Sequence, residues 1–324
     1  MTLLNEAHVI RELLRRFQSR NIAVPCFCAE NTYTVEGICI GATKAAEELG
    51  LDSLPLFIAA TGSYHGRQQL ANYTSLNSTR EGFMAFRSDL ERLGRADGPF
   101  PKVTVIPSLD HGQPQSDEFL FEEGKDFWGC VMYDCSTLTL KENIKKTVEF
   151  VKKHRDDYLI EGCVDEILES GETEKMRLTD PQQAKAYLEQ TGVDLMVVNL
   201  GTEHRATKSG KKYHGDLARK ISDLAGHVLV LHGTSCLDEN NLGSLCDDGI
   251  LKVNTWAVLE TTGAKELIKY FSHNVDGRAG SLELEYLTET FRRNQIKVPV
   301  ISSIVERFIK HFGYERLLRS DIKR

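Results

Sequence analysis

"TDPQQAKAYLEQTGVDLMVVNLGTEH", residues 179–204, holds one complete helix–strand unit with its punctuation. Asp180-Pro181 reads as a helix start, because an Asp side chain caps free backbone N–H groups and Pro suits the first helical position. Gly192 reads as the stop. The run "LMVVNLG" (195–201) is apolar without alternation, the pattern of a strand covered on both faces. It ends in a polar turn that carries His204.

The same unit recurs in both directions along the chain. Apolar runs lie at "IAVPCFC" (22–28), "PLFIAAT" (55–61), "VTVIPSL" (103–109), "GCVMYDC" (129–135), "YLIEGCV" (158–164), "HVLVLHG" (227–233) and "ILKVNTW" (250–256). With 195–201 that makes eight. Polar stretches of helical spacing separate them, such as "TVEGICIGATKAAEELG" (34–50) and "LTLKENIKKTVEFVKKH" (138–154). Strand alternating with helix means parallel strands, and eight such units predict an α/β fold, a closed (β/α)8 TIM barrel. A doubly wound open sheet is the alternative. It calls for a Gly-rich dinucleotide turn after its first strand, and "CFCAENTYT" (26–34) is not one.

No composition break divides the chain, so the expectation is one barrel domain over residues 1–324. Loops are expected at 95–102 and 272–281. A helical C-terminal extension is expected over 282–324, where "SSIVERFIKHFGYERLL" (302–318) carries an apolar stripe suited to the barrel or a neighbouring subunit. Hydrophobic residues make up 41%, enough for a sizeable core, and the net charge of −7 comes with scattered basic residues. That excludes nucleic acid as the main partner. No apolar run reaches the roughly 18 residues that span a bilayer, and the first twenty residues read as an amphipathic helix rather than a signal peptide. The expected location is cytoplasmic. The eight cysteines form no CxxC pair and sit in or beside apolar runs, as reduced thiols do.

In a (β/α)8 barrel the C-terminal strand ends share one mouth. There the third strand delivers Asp110-His111, the fifth Glu161 and Cys163, the sixth His204, the seventh His232 and the eighth Asn254. Asp-His-Gly on its own is also good turn or capping chemistry. Three histidines converging from three strands read instead as a metal site, since three imidazoles and an open position are the pattern of catalytic zinc.

These segments resemble the class II, metal-dependent ketose-bisphosphate aldolases, the family of fructose- and tagatose-bisphosphate enzymes. "SLDHG" (108–112) matches the family's LDHG, and "VMYDCSTLTLKENI" (131–144) its VMxDxSxxxxxENI. Residues 179–204 follow TDPxxAxxFVxxTGVDxLAVxxGTxHG, "VLVLHGTSCLDENNL" (228–242) follows LVLHGGSGxPDEDI, and "GILKVNTW" (249–256) follows GVxKxNxxT. The resemblance runs from about residue 3 to 257 and more faintly into the tail. It implies that His111, His204 and His232 hold Zn2+ or another divalent metal, and that Asp110 moves the proton on the hydroxyl beside the scissile C–C bond. The chemistry agrees: retro-aldol cleavage leaves an enediolate that a divalent cation stabilises, and it needs a base at the C4 hydroxyl. Asp134 is implied near the metal, as a supporting group or an alternate cation position; an N-cap or turn hydrogen bond for the helix beginning near Leu140 is the competing reading. Glu161 matches the first Glu of the family's V-E-x-E-L-G. A sugar or sugar phosphate is the implied partner, and the family implies a homodimer or homotetramer.

Departures cluster where the family grips phosphate. Gly233 and Ser235 are kept, but Thr234 and Cys236 replace glycines. The glycine expected after the second metal histidine is Arg205, Trp256-Ala257 removes a hydroxyl, and the usual Phe-Asn is Phe27-Cys28. Thr61 keeps a hydroxyl where the family has Ser, and Lys208 keeps the family lysine. Thr61, Arg205, Lys208, Gly233, Ser235 and Asn254 are therefore the expected substrate-binding residues. Cys163 replaces the second Glu, either as a packed thiol or as a soft ligand. Glu169, Glu172 and Glu174 are candidates for the loop glutamate that reprotonates the enediolate. The expectation is an aldolase whose substrate differs from fructose 1,6-bisphosphate. The alternatives are a metal-binding barrel without aldol chemistry and a metal-dependent epimerase.

Overall fold

Each of the eight apolar runs forms a strand in the computed structural model, which describes residues 1–167, 177–205, 213–273 and 290–317. The strands are β1 (Thr2–Leu3), β2 (Val24–Cys28), β3 (Leu54–Thr61), β4 (Val103–Gly112), β5 (Cys130–Tyr133), β6 (Leu159–Cys163), β7 (Leu195–Val197), β8 (Leu229–Leu231) and β9 (Ile250–Thr255). Strands β2 to β9 pair in parallel, in sequence order, and the ring closes through β2–β9. That is the (β/α)8 barrel. Around it lie α1 (Ala7–Ser19), α2 (Thr32–Glu48), α3 (Gln69–Tyr73), α4 (Thr79–Leu93), α5 (Glu118–Glu123), α6 (Leu140–His154), α7 (Pro181–Thr191), α8 (Gly215–Ala225), α9 (Glu239–Ser244), α10 (Ala257–His273) and α11 (Thr290–His311).

Local chemistry sets these boundaries. The Asp180 carboxylate accepts from the N–H groups of Gln182 and Gln183, Pro181 follows it, and Gly192 ends α7 at φ 67°. Helix α6 starts with a capping box between Thr139 and Glu142. Asp134 therefore does not cap that helix; its Oδ1 accepts from the N–H and the hydroxyl of Ser136 in a turn.

The strand β1 was not expected. Its two residues pair with Thr104 and Val105, beside the first half of β4, while the second half of β4 pairs with β5 from Ser108 onward. The ten-residue β4 thus has different neighbours along one edge. The C-terminal extension docks where expected: α11 lies against α2, whose Gly37 and Gly41 let the backbones meet. A Cβ on Gly41 would stand 2.4 Å from the Ser302 carbonyl oxygen. Beyond α11, the Phe312 carbonyl accepts from Ala23 N–H, and the Tyr314 hydroxyl donates to the Pro55 carbonyl. Both contacts lie at the N-terminal ends of strands, opposite the barrel mouth. All eight cysteines are free and buried. No described helix is long and apolar enough to cross a membrane.

Candidate active site

A regular strand points consecutive side chains to opposite faces, so Asp110 and His111 should diverge. They do not, because β4 runs on to Gly112 and its pairing with β5 shifts register between Leu109 and Gly112. This irregularity coincides with a left-handed backbone at His111, φ 49°. Non-glycine residues in that region are uncommon, and they cluster at functional sites. The bulge turns both side chains into the barrel mouth, where each is 1% exposed.

His111, His204 and His232 converge there. Their ligand-type nitrogens all lie within 4.8 Å of one another, and all three side chains are buried. His111 Nε2 stands 3.1 Å from His232 Nδ1. On its far side His111 Nδ1 meets Asp134 Oδ2 at 2.6 Å, and His232 Nε2 lies 3.6 Å from Glu161 Oε1. A carboxylate behind an imidazole fixes its tautomer and raises its basicity, and Asp134 and Glu161 stand behind His111 and His232. Glu161 is tied in turn to the Lys252 ammonium at 2.7 Å. Burial, followed by the charges of Arg67, His111 and His232, holds the His204 pKa well below the usual imidazole range. Burial likewise lowers that of His232, against Glu161 and Asp110. Both rings are thus neutral donors, and His204 Nε2 has no hydrogen-bond partner. The donor set fits a divalent cation such as zinc: three buried imidazoles, two with carboxylates behind them.

Asp110 sits beside this group. Its Oδ2 accepts from the Arg67 guanidinium at 2.7 Å and from the Cys28 thiol at 3.5 Å, and its Oδ1 accepts from Asn254 Nδ2 at 3.0 Å. Burial pushes the carboxyl pKa up, but the positive groups around it, His111 and Arg67 foremost, outweigh burial and hold it well below the usual range. Asp110 is thus held as a carboxylate.

A cavity opens onto the site, and its walls include Arg67, Arg205, Ser235, Asn254 and Trp256. Gly233 shapes it: at φ 73° a side chain is disfavoured, and a Cβ would fall 2.7 Å from the Glu203 carbonyl oxygen. The turn that follows spends two side chains internally, with Thr234 donating to the Asn254 carbonyl and Cys236 to the Gly233 carbonyl. Ser235 Oγ and Asn254 Oδ1 are left unpartnered. Arg205 also has a left-handed backbone, φ 52°, which gives a conformational reason for glycine at that position. Its guanidinium donates to the Gly66 carbonyl at 3.3 Å.

One expectation needs correction, and of the two readings of Cys163 the packed thiol is the one the structure fits. Thr61 does not face the cavity: its hydroxyl donates to the Arg67 carbonyl and accepts from Gln69 N–H, so it braces the loop after β3. Cys163 is a packed thiol, not a ligand; its Sγ donates to the Asp165 carbonyl at 3.1 Å, and burial pushes its pKa well up. Lys208, Glu169, Glu172 and Glu174 lie outside the described residues. Sequence reading missed Arg67 and Tyr64, whose ring stacks on His111 at 4.1 Å. Their position just after a strand's C-terminal end was the signal available.

The comparisons agree with this architecture. The family model for class-II fructose-bisphosphate aldolase matches residues 8–312. The chain belongs to that family. A fructose-bisphosphate aldolase of Giardia intestinalis is 32% identical over 148 residues, a stretch covering 43% of this chain and 45% of that protein. Among solved structures, the YdjI aldolase of Escherichia coli K12 aligns with TM-score 0.67 at 20% identity, covering 96% of this chain and 98% of that one. The fructose-bisphosphate aldolase of Campylobacter jejuni aligns with TM-score 0.74 at 14% identity, covering 96% and 95%. At these identities the likeness is one of fold.

Proposed function

We propose that this member of the class II family is a metal-dependent aldehyde-lyase acting on a ketose or ketose phosphate other than fructose 1,6-bisphosphate. The observation that carries the reading is the bulge at Asp110-His111, which sets a carboxylate base beside a three-histidine group. A divalent cation held by His111, His204 and His232 supplies Lewis-acid polarisation of the ketose oxygens. Asp110 takes the proton from the C4 hydroxyl, the C3–C4 bond breaks, and the aldehyde leaves. Asn254 holds Asp110 in place, and its own Oδ1 has no hydrogen-bond partner. Zinc is the proposed metal, and a homodimer or homotetramer the proposed assembly.

The substrate's anion is read by Arg205 with Lys208, Ser235 and the Gly233 turn. The turn's Thr234 and Cys236 side chains and the missing hydroxyl at Ala257 disfavour a phosphate held in the family manner. Assays of the zinc-loaded protein against ketose phosphates, neutral ketoses and acidic ketoses test this directly. Cleavage of at least one of them is expected, with fructose 1,6-bisphosphate below about 10⁴ M⁻¹s⁻¹ in kcat/KM. A value above that contradicts the substrate reading, and no cleavage of any ketose favours a binding role.

Arg205→Gly gives a sharper check. Losing one charged hydrogen bond is worth roughly 1.5–3 kcal/mol, so kcat/KM on the preferred anionic substrate is expected to fall about tenfold or more. Unchanged preference across the same panel removes Arg205 from recognition.

A further inference from the structure

We propose that Arg67 is a positioning residue that keeps Asp110 off the metal position, leaving the carboxylate available for proton transfer. This inference rests on the three-histidine reading of the site. The problem it addresses arises from the bulge. Asp110 adjoins a metal-ligating histidine and shares its buried mouth, and a carboxylate is itself a good ligand for zinc. A free Asp110 side chain would be drawn to the cation and would fill the open position that a reaction needs. Yet among the described residues the ligand group comprises His111, His204 and His232, without Asp110.

The restraint on Asp110 is built from its surroundings. Asn254 holds Oδ1, and Arg67, in a charge-assisted bond of 2.7 Å, holds Oδ2 on the side of the loop after β3. Arg67 has little freedom to leave. It is 7% exposed, and its guanidinium carbon lies 5.5 Å from the Tyr64 ring and 5.2 Å from the Trp256 ring. Its own carbonyl accepts from Thr61, and the next bracing residue, Gln69, accepts from Thr61 N–H and donates to Glu30. Tyr64 stacks on His111, so the loop that carries Arg67 is registered against the ligand itself. The pair therefore fixes Asp110 at a set place relative to His111.

The test needs no substrate. Cobalt-loaded wild type, Arg67→Met and Arg67→Met/Asp110→Asn are compared by visible absorption, with zinc affinity measured by chelator competition. In Arg67→Met the cobalt bands should change and zinc should bind roughly tenfold tighter, the scale of supporting-group effects on metal affinity. The double variant should regain the wild-type bands, because Asn is a poor ligand. Arg67→Gln, measured in the same way with the same expectation, replaces Arg67→Met if that variant does not fold. An anchor of purely structural kind lowers thermal stability and leaves the bands alone. Unchanged bands, or altered bands that persist without the Asp110 carboxylate, overturn the inference. Absence of cobalt uptake by wild type overturns the three-histidine reading first, and this inference with it.

Discussion

Asp110→Asn is expected to lower kcat on the chain's own substrate by roughly 10²- to 10⁴-fold, the range for losing a positioned acid–base group. The substitution keeps the side chain's shape and size, and it removes the basic oxygen that would take the C4 proton. Metal content should be unaffected, because Asp110 lies outside the three-histidine group. KM should change little, since proton transfer belongs to the transition state rather than to ground-state binding. Steady-state kinetics with metal analysis of the same sample check this. Turnover near wild type would take Asp110 out of the mechanism.

The largest stability effect is expected at Lys252→Met. Lys252 and Glu161 are fully enclosed in the barrel interior, at 1% and 0% exposure, and are joined at 2.7 Å. Burial lowers the Lys252 pKa, but neighbouring acidic groups, Cys26 and Glu161 among them, more than offset it and keep the ammonium charged. Removing one partner of such a pair leaves the other buried and uncompensated, at a cost of about 3–5 kcal/mol. Denaturant unfolding of the single variant should show that loss, and Lys252→Met/Glu161→Gln should recover part of it. A single variant within about 1 kcal/mol of wild type would mean that the pair is not a coupled unit. Glu161 also backs His232, so the same substitution should weaken metal binding.

Much of this architecture was legible because barrel strands are covered on both faces. Their sequences read as unbroken apolar runs, and Asp180-Pro181 and Gly192 bracket α7 by chemistry that acts within a few residues. The three histidines were legible for a related reason. Once strands alternate with helices, closure alone brings every strand's C-terminal end to one mouth. What was not legible depends on pairing. The two residues of β1 carry no periodicity, and they become a strand only because β4 offers them an edge. The bulge at Asp110-His111 is a register shift between two strands, a property of neither alone. In sequence Asp134 reads as well as a cap or turn residue as it does as a site residue; its 2.6 Å bond to His111, its turn bonds to Ser136 and the Thr139 capping box exist only in the fold. Thr61 shows the reverse failure: a hydroxyl in a family substrate-binding position is used up by a loop carbonyl. Arg67 sits in the stretch "GSYHGRQQ" (62–69), which resembles no motif, and its partner Asp110 is forty-three residues away.

The central claim is that His111, His204 and His232 form one metal site. It is tested most directly by elemental analysis of wild type and His204→Ala after zinc loading and removal of free metal. His204 is the ligand to replace because its ring backs no other member of the site through a hydrogen bond, and its Nε2 has no protein partner. About one divalent ion per chain is predicted for wild type, and essentially none for His204→Ala at micromolar metal. Full occupancy in a folded His204→Ala protein would contradict the account.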